Sequence, residues 1–394
     1  MTSRDRLITA MDHREPDRVP FDLGTTFVTG ITKVAYRSLL EALGEGARPD
    51  PPLLDPVQQL VVADQDILDR LGTDTTSLSR HLPTRAPVSE WEDDDYWMFY
   101  DAWGIGWRRP KVFRSGQSGS EQGGLYYDMF IHPLAGKGIE EAKAYPWPDP
   151  TKTFDRKMVR DLAKRLSEET DKGIIAPAFG SGILEMTLWL QGYDQGYMNL
   201  IADKQLTCYL LDKITDIKMA YAEVMLETVG DYCHVFYTGG DDVGHQFSPA
   251  MRPEMFRELM VPRYKRYHSF IKMKAPHIKV FFHSCGCVYP LIPDLIEAGI
   301  DILNPVQVNA AEMGDTARLK REFGRDLIFW GGIDTQKVMP HGTPQDVKDE
   351  VKRRIDDLAP GGGYVFDTVH NIQADVPGAN VVALAEALDE YGWY

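Results

Sequence analysis

The stretch FFHSCGCVYP, residues 281–290, puts a histidine two places before one cysteine and four before another, in a chain with only four cysteines. Imidazole and thiolate are both good ligands for a zinc-like ion. Along an extended chain, alternate side chains share a face. His283, Cys285 and Cys287 therefore face the same way for as long as the strand continues. Gly286 is where the chain is expected to bend and turn Cys287 aside. His283 and Cys285 then form either a two-point chelate that lacks a third protein ligand, or a pair of satisfied core residues. Other groups fit for chemistry stand at comparable places. Asp241 and Asp242 follow Gly239-Gly240, and such a pair can do acid–base work or hold a ligand histidine by its second nitrogen. Glu185 suits a fourth metal ligand, an acid for a leaving group, or a charge that complements a helix N-terminus. Asn304 and Gln307 offer uncharged amides to a neutral substrate, or serve loop hydrogen bonds. Asp334 either lines a pocket or caps the helix that follows it.

Most of these residues end short apolar runs, and Glu185 follows the first of them. The runs are GIIAPAFGS (173–181), CHVFYTGGDDVG (233–244), HIKVFFHSCG (277–286), IDILNPVQ (300–307), DLIFWGGID (326–334) and GYVFDTVHNIQ (363–373). Helical patterns such as DVKDEVKRRIDDLA (346–359) and YPLIPDLIEAG (289–299) lie between them. Apolar strands separated by helices mean a parallel sheet. Two more strands can come from Arg18–Leu23 and the 60–78 region. The expectation is an α/β fold, a (β/α)8 TIM barrel over 1–394 as a single domain, with an open doubly wound sheet as the alternative. A barrel carries its chemistry at the C-terminal ends of its strands. Asp241, Asp242, His283, Cys285, Asn304, Gln307, Asp334 and His370 would then ring one mouth, with Tyr237 among the substrate contacts.

The chain before residue 150 reads differently: an irregular, aromatic-rich extension after a short N-terminal helix. Within it, 80–150 reads as an insertion. WEDDDYWMFYDAWGIGWRRP holds four Trp and two Tyr, and its alternation from Trp97 to Trp107 predicts a hairpin or meander. Tyr96, Trp97, Trp103 and Trp107 form the core of that insertion or wall an apolar pocket over the barrel mouth. GQSGSEQGG (116–124) is read as a loop and AYPWPDP (144–150) as a rigid connector.

A net charge of −16 argues against nucleic acid and anionic membrane as partners. No run reaches the roughly 18 apolar residues of a spanning helix. The N-terminal MTSRDRLITAMDHREPDRVP lacks the apolar core of a signal peptide. Four cysteines are too few for a disulfide scaffold of this length. The expectation is a cytoplasmic protein, either a monomer or a homodimer.

Several stretches together resemble the uroporphyrinogen decarboxylase superfamily, and within it the corrinoid-dependent methyltransferases. They include HREPDRVPFDLG (13–24), DILDRLGTD (66–74), AWGIGWRR (102–109), YPWPDP (145–150), GILEMTLWLQGYD (182–194), HSCGCVYPLIPDLIEAGIDILNPVQ (283–307), WGGIDTQ (330–336) and VHNIQADVPGANVVALAEAL (369–388). The decarboxylases carry a basic Arg-Gln-Ala-Gly-Arg stretch near the N-terminus, where this chain reads Asp12-His13-Arg14-Glu15-Pro16-Asp17-Arg18. That disfavours a substrate with many carboxylates.

The thiol-activating methyltransferases bind zinc with His-x-Cys and a later Cys. The resemblance puts His283 and Cys285 on the first two positions and His370 on the third. A zinc held by two imidazoles and one thiolate keeps a charge of about +1, against about zero with two thiolates. Such a centre suits polarising an ether, hydroxyl or amine better than making a nucleophilic thiolate. The resemblance thus implies a zinc-dependent methyltransferase between a small methyl ether, amine or thiol and a corrinoid (cobalamin), most simply the substrate-demethylating component. The chain has no Asp-x-His-x-x-Gly cobalamin run, so the corrinoid would come from a separate corrinoid protein or as free cobalamin. The alternatives are a metal-free decarboxylase of a non-porphyrin substrate and a non-catalytic ligand- or corrinoid-binding barrel.

Overall fold

In the computed structural model, residues 1–46, 48–82, 87–111 and 126–394 are described. The loop expected at 116–124 lies outside the described residues. Seven strands form one parallel sheet, each beside its neighbour in sequence. They are β1 (Thr75–Ser77), β2 (Gly173–Ala176), β3 (Val235–Gly240), β4 (Lys279–His283), β5 (Ile302–Asn304), β6 (Ile328–Ile333) and β7 (Tyr364–Thr368).

The stretch around Phe21 takes the eighth place. It bridges Phe366 of β7 in parallel, through Asp22 N–H to the Phe366 carbonyl at 3.0 Å and Phe366 N–H to the Pro20 carbonyl at 2.8 Å. On its other side, Asp74 N–H donates to the Phe21 carbonyl at 2.7 Å. Of the two additional strands expected, the 60–78 region supplies β1, while 18–23 fills the eighth place through an isolated bridge and not as a regular strand; the architecture is that of a (β/α)8 barrel.

The apolar residues of the strands divide between two faces, as a sheet buried on both sides requires. Ile175, Val235, Tyr237, Phe281, Ile302, Ile328, Trp330 and Val365 fill the barrel. Phe236, Phe282, Leu303, Phe329, Tyr364 and Phe366 face outward, under the helices. Leu7 and Met11, on the helix Ser3–Met11, join the inner cluster at the N-terminal ends of the strands. Leu7 enters because β2 starts with a glycine: a Cβ on Gly173 would stand 2.2 Å from its Cδ2. No helix of the described residues is long and apolar enough to cross a membrane.

The aromatic segment is a four-stranded antiparallel sheet of Ser89–Glu92, Tyr96–Tyr100, Gly106–Pro110 and Asp128–Ile131. The turn between its two middle strands is held by Asp101, whose Oδ1 accepts the N–H of Trp103 (2.8 Å) and of Ile105 (3.1 Å). Trp107 meets Trp189 edge-on at 5.5 Å and ties the sheet to the helix Ile183–Gln191. In the Pro-rich connector, the Tyr145 hydroxyl donates to the Trp103 carbonyl at 2.6 Å.

Candidate metal centre

His283 is the last residue of β4 and shares its inward face with Phe281, so its imidazole stands on top of the packed barrel interior. Its Nδ1 faces Asn304 Oδ1 at 2.5 Å, across the β4–β5 register. Asn304 cannot be turned round there, because its Nδ2 donates to the Trp330 carbonyl at 3.0 Å. The amide oxygen thus fixes the proton on Nδ1 and leaves the Nε2 lone pair free to bind a metal.

Cys285 Sγ lies 3.5 Å from that Nε2. The imidazole of His370, just beyond β7, meets the His283 ring edge-on with centroids 5.4 Å apart. One ligand atom from each of His283, Cys285 and His370 lies within 4.8 Å of the others. In a tetrahedral zinc site, with bonds of about 2.0–2.1 Å to nitrogen and about 2.3 Å to sulfur, neighbouring ligand atoms stand about 3.3–3.6 Å apart. The His283–Cys285 spacing meets that value. Burial lowers both histidines to about 4, so each is a neutral imidazole with a lone pair to give. Burial and the charges of Asp242 and Glu185 push the Cys285 thiol well above its usual value. A thiolate at this place calls for a cation beside it. The donor set fits a zinc-like ion.

The chain between the ligands is shaped by glycine. Gly286 has φ +87, and a Cβ there would stand 2.3 Å from the Gly244 carbonyl carbon. The bend it makes sends Cys287 into the outer hydrophobic cluster, with its N–H on the His245 carbonyl at 2.7 Å. Cys287 is not part of the cluster. Gln307 supports the same bend by accepting the Gly286 N–H at 2.6 Å.

The two acids after β3 do different things. Asp242, partly exposed, accepts the Cys285 N–H at 2.7 Å and stands 3.8 Å from His283 Nε2. Asp241 is buried and turned the other way. It accepts the N–H groups of Ile183 (2.8 Å), Leu184 (3.0 Å) and Glu185 (2.7 Å), and the Tyr264 hydroxyl at 2.5 Å. It serves as the side-chain cap of the helix Ile183–Gln191, whose own N-cap is glycine. Glu185 is set by that cap and by a hydrogen bond from Ser181 Oγ to its carboxylate. Its charge is felt by Cys285, Tyr193 and Tyr197.

The Tyr237 hydroxyl and the His283 ring both border the place that a Cβ on Gly240 would take. Tyr237 is inside the barrel, against Phe27 at 5.0 Å and Phe281 at 5.4 Å. Asp334 accepts Asn309 Nδ2 (2.5 Å) and the N–H groups of Gln336 and Lys337 in the turn after β6. None of these partners belongs to the cluster. Trp103 lines a cavity with Phe179 and Tyr221; Tyr96, Trp97 and Trp107 do not, and none of His283, Cys285 and His370 borders it.

Two buried carboxylates escaped the sequence reading. Asp22 accepts Thr75 Oγ1 at 2.6 Å, Thr25 Oγ1 at 2.7 Å and Trp330 Nε1 at 3.1 Å. Asp367 is raised well above the usual carboxylate range by burial and by the charge of Asp22, and its Oδ2 has no partner among the described residues. Their signal was an acid at an inward position of an apolar run: Phe21-Asp22-Leu23 and Phe366-Asp367.

A family model described as Uroporphyrinogen decarboxylase (URO-D) matches residues 132–391, well over half of the chain. Among curated relatives, a uroporphyrinogen decarboxylase of Chlorobium limicola is 25% identical over 194 residues, which cover 48% of this chain and 50% of that one. The chain thus spans about half the length of that relative. A methylcobamide:CoM methyltransferase of Methanosarcina acetivorans is 24% identical over 242 residues, covering 59% of this chain and 63% of the relative. Among solved structures, a methyltransferase from Methanosarcina mazei superposes with a TM-score of 0.65 at 21% identity over 99% of both chains, a likeness of fold.

Proposed function

We propose, for a chain that belongs to the uroporphyrinogen decarboxylase family, that it is a zinc-dependent methyltransferase serving as the substrate-demethylating component of a corrinoid-linked system. The observation that carries this reading is the meeting of His283, Cys285 and His370 from two distant strand ends, with the tautomer of His283 fixed by Asn304. The similarity to a methylcobamide:CoM methyltransferase supports it. When bound, the zinc would supply a Lewis acid that draws electron density from the heteroatom leaving the methyl group.

The chain's own residues have separable tasks. His283, Cys285 and His370 would hold the ion, and two neutral imidazoles with one thiolate leave it net positive. Asp242, hydrogen-bonded to Cys285 N–H, keeps the cysteine backbone in place beside His283. Glu185, held at the N-terminus of its helix, is the proposed proton source for the leaving group; Asp241 positions that helix. The corrinoid would approach from the open mouth, carried by a separate corrinoid protein or as free cobalamin.

The test is the metal content of the purified protein, wild type beside Cys285→Ala, followed by methyl transfer to cob(I)alamin from methyl ethers and methylamines. One zinc per chain, lost in the variant together with transfer, is the expected result. A folded, metal-free wild type would sink the zinc chemistry and turn attention to the decarboxylase alternative.

A further inference from the structure

Outside the barrel wall, between the helix Val261–Lys274 and the sheet, is a small cavity of about 10 Å³. Its walls include Thr238 of β3, Asp241 just after it, Phe282 of β4, and Tyr264, Tyr267 and His268 of the helix. None of these six residues is more than 4% exposed. A cavity of that size has room for one water molecule and little else.

Two polar atoms of these walls, the Tyr267 hydroxyl and His268 Nε2, have no hydrogen-bond partner among the described residues. Buried polar groups are rarely left so. Their needs are complementary. His268 Nδ1 meets the Ala298 carbonyl at 2.9 Å. A carbonyl only accepts, so the proton is on Nδ1, and Nε2 presents a lone pair that calls for a donor. The Tyr267 hydroxyl has a proton to give. The two do not bond to each other, although their ring centroids are 5.8 Å apart. The Tyr264 hydroxyl is spent on Asp241 Oδ2. Asp241 Oδ1 accepts the Glu185 N–H at 2.7 Å and has capacity for one more donor.

The charges around the cavity decide what fits. The Lys218 ammonium lies 5.9 Å from the centre of the Tyr267 ring and donates to the Thr238 carbonyl at 3.0 Å. Burial, and then the charges of Lys272 and Lys218, keep His268 neutral at about 4. A further cation is repelled by Lys218, and an anion by Asp241. A neutral molecule that both donates and accepts suits all three walls, and at this volume it is water.

We propose that the cavity is a binding site for one internal water, which accepts from the Tyr267 hydroxyl and donates to His268 Nε2 and to Asp241 Oδ1. The inference rests on the cavity and its two orphaned atoms, not on the methyl-transfer reading. It gives the water a place in the frame of the centre. Asp241 donates its N–H to the His283 carbonyl at 2.9 Å and caps the helix of Glu185. The water ties the outer helix Val261–Lys274 to that one residue.

The experiment is a crystal structure of the whole protein, wild type beside Tyr267→Phe, at a resolution that orders internal waters. In the wild type, one fully occupied water is expected about 2.7–3.2 Å from Tyr267 Oη, His268 Nε2 and Asp241 Oδ1. Tyr267→Phe keeps the ring and removes the only donor to the water, which should fall to about half occupancy or less. An empty cavity in the wild type, a direct bond between Tyr267 and His268, or a peak with the height and contacts of an ion would each overturn the proposal. A water at full occupancy in Tyr267→Phe would do the same, because the hydroxyl would then not hold it. If the variant does not fold, the wild-type map alone decides.

Discussion

Replacing Asn304 with leucine removes the one group that dictates where the His283 proton sits. The wild-type amide takes the proton on Nδ1 and is itself held by the Trp330 carbonyl. In Asn304→Leu the imidazole is free to adopt the other tautomer, with hydrogen on the nitrogen that faces Cys285. Loss of a partner that orients a metal-bound histidine typically costs about 10–100-fold in affinity, or about 1.4–2.7 kcal/mol. Asn304→Asp keeps an acceptor opposite Nδ1 but loses the donor to Trp330. Both variants leave that carbonyl without its partner, so their difference reads the acceptor opposite Nδ1 together with the charge the carboxylate brings. Zinc affinity by competition with a chromophoric chelator is therefore expected to drop about 10–100-fold in Asn304→Leu and to stay within about threefold in Asn304→Asp. Equal affinities for wild type and Asn304→Leu, with both folded, would refute the idea that Asn304 prepares His283 as a ligand.

Two further changes probe the frame. A Cβ at Gly182 would stand 2.1 Å from Asp241 Cβ, so Gly182→Ala must displace the carboxylate that caps the helix Ile183–Gln191; a loss of about 2–4 kcal/mol in denaturant unfolding is expected, and an unchanged midpoint would contradict the packing described. His268 is kept neutral by burial at about 4, against about 6.5 in the unfolded chain. The unfolded chain alone takes up this proton between pH 6.5 and 4, so stability falls as pH is lowered through that window. His268→Gln should flatten the fall by up to about 3 kcal/mol, measured by unfolding at pH 4.5 and pH 7; an unaltered pH slope would show that this histidine is not the refused proton.

The sheet was legible in the sequence because strands buried on both faces are mostly apolar, and six of the seven are. β1 is not: Thr75–Ser77 is polar, and only the need for eight staves pointed to its region. Placement at strand ends found His283, Cys285 and His370, whose side chains converge. It could not tell Asp241 from Asp242, because adjacent acids after a glycine pair look alike until the helix that one of them caps is seen beside it. Nor could it find Asp22 and Asp367. An acid inside an apolar run reads as an interruption, and only the closed barrel shows it to be an inward residue facing a second acid.

The contact between Gly286 and Gly244 has a consequence for how this protein could change over time. Backbone there touches backbone, with no room for a side chain between the two loops. The height of the Cys285 sulfur above the barrel is consequently set by main chain, and residues around it can be exchanged without tilting it. Lineages, or a protein engineer, could rewrite what is admitted while inheriting the reactive centre unaltered. The one substitution this arrangement forbids is the smallest available, a methyl group on either glycine.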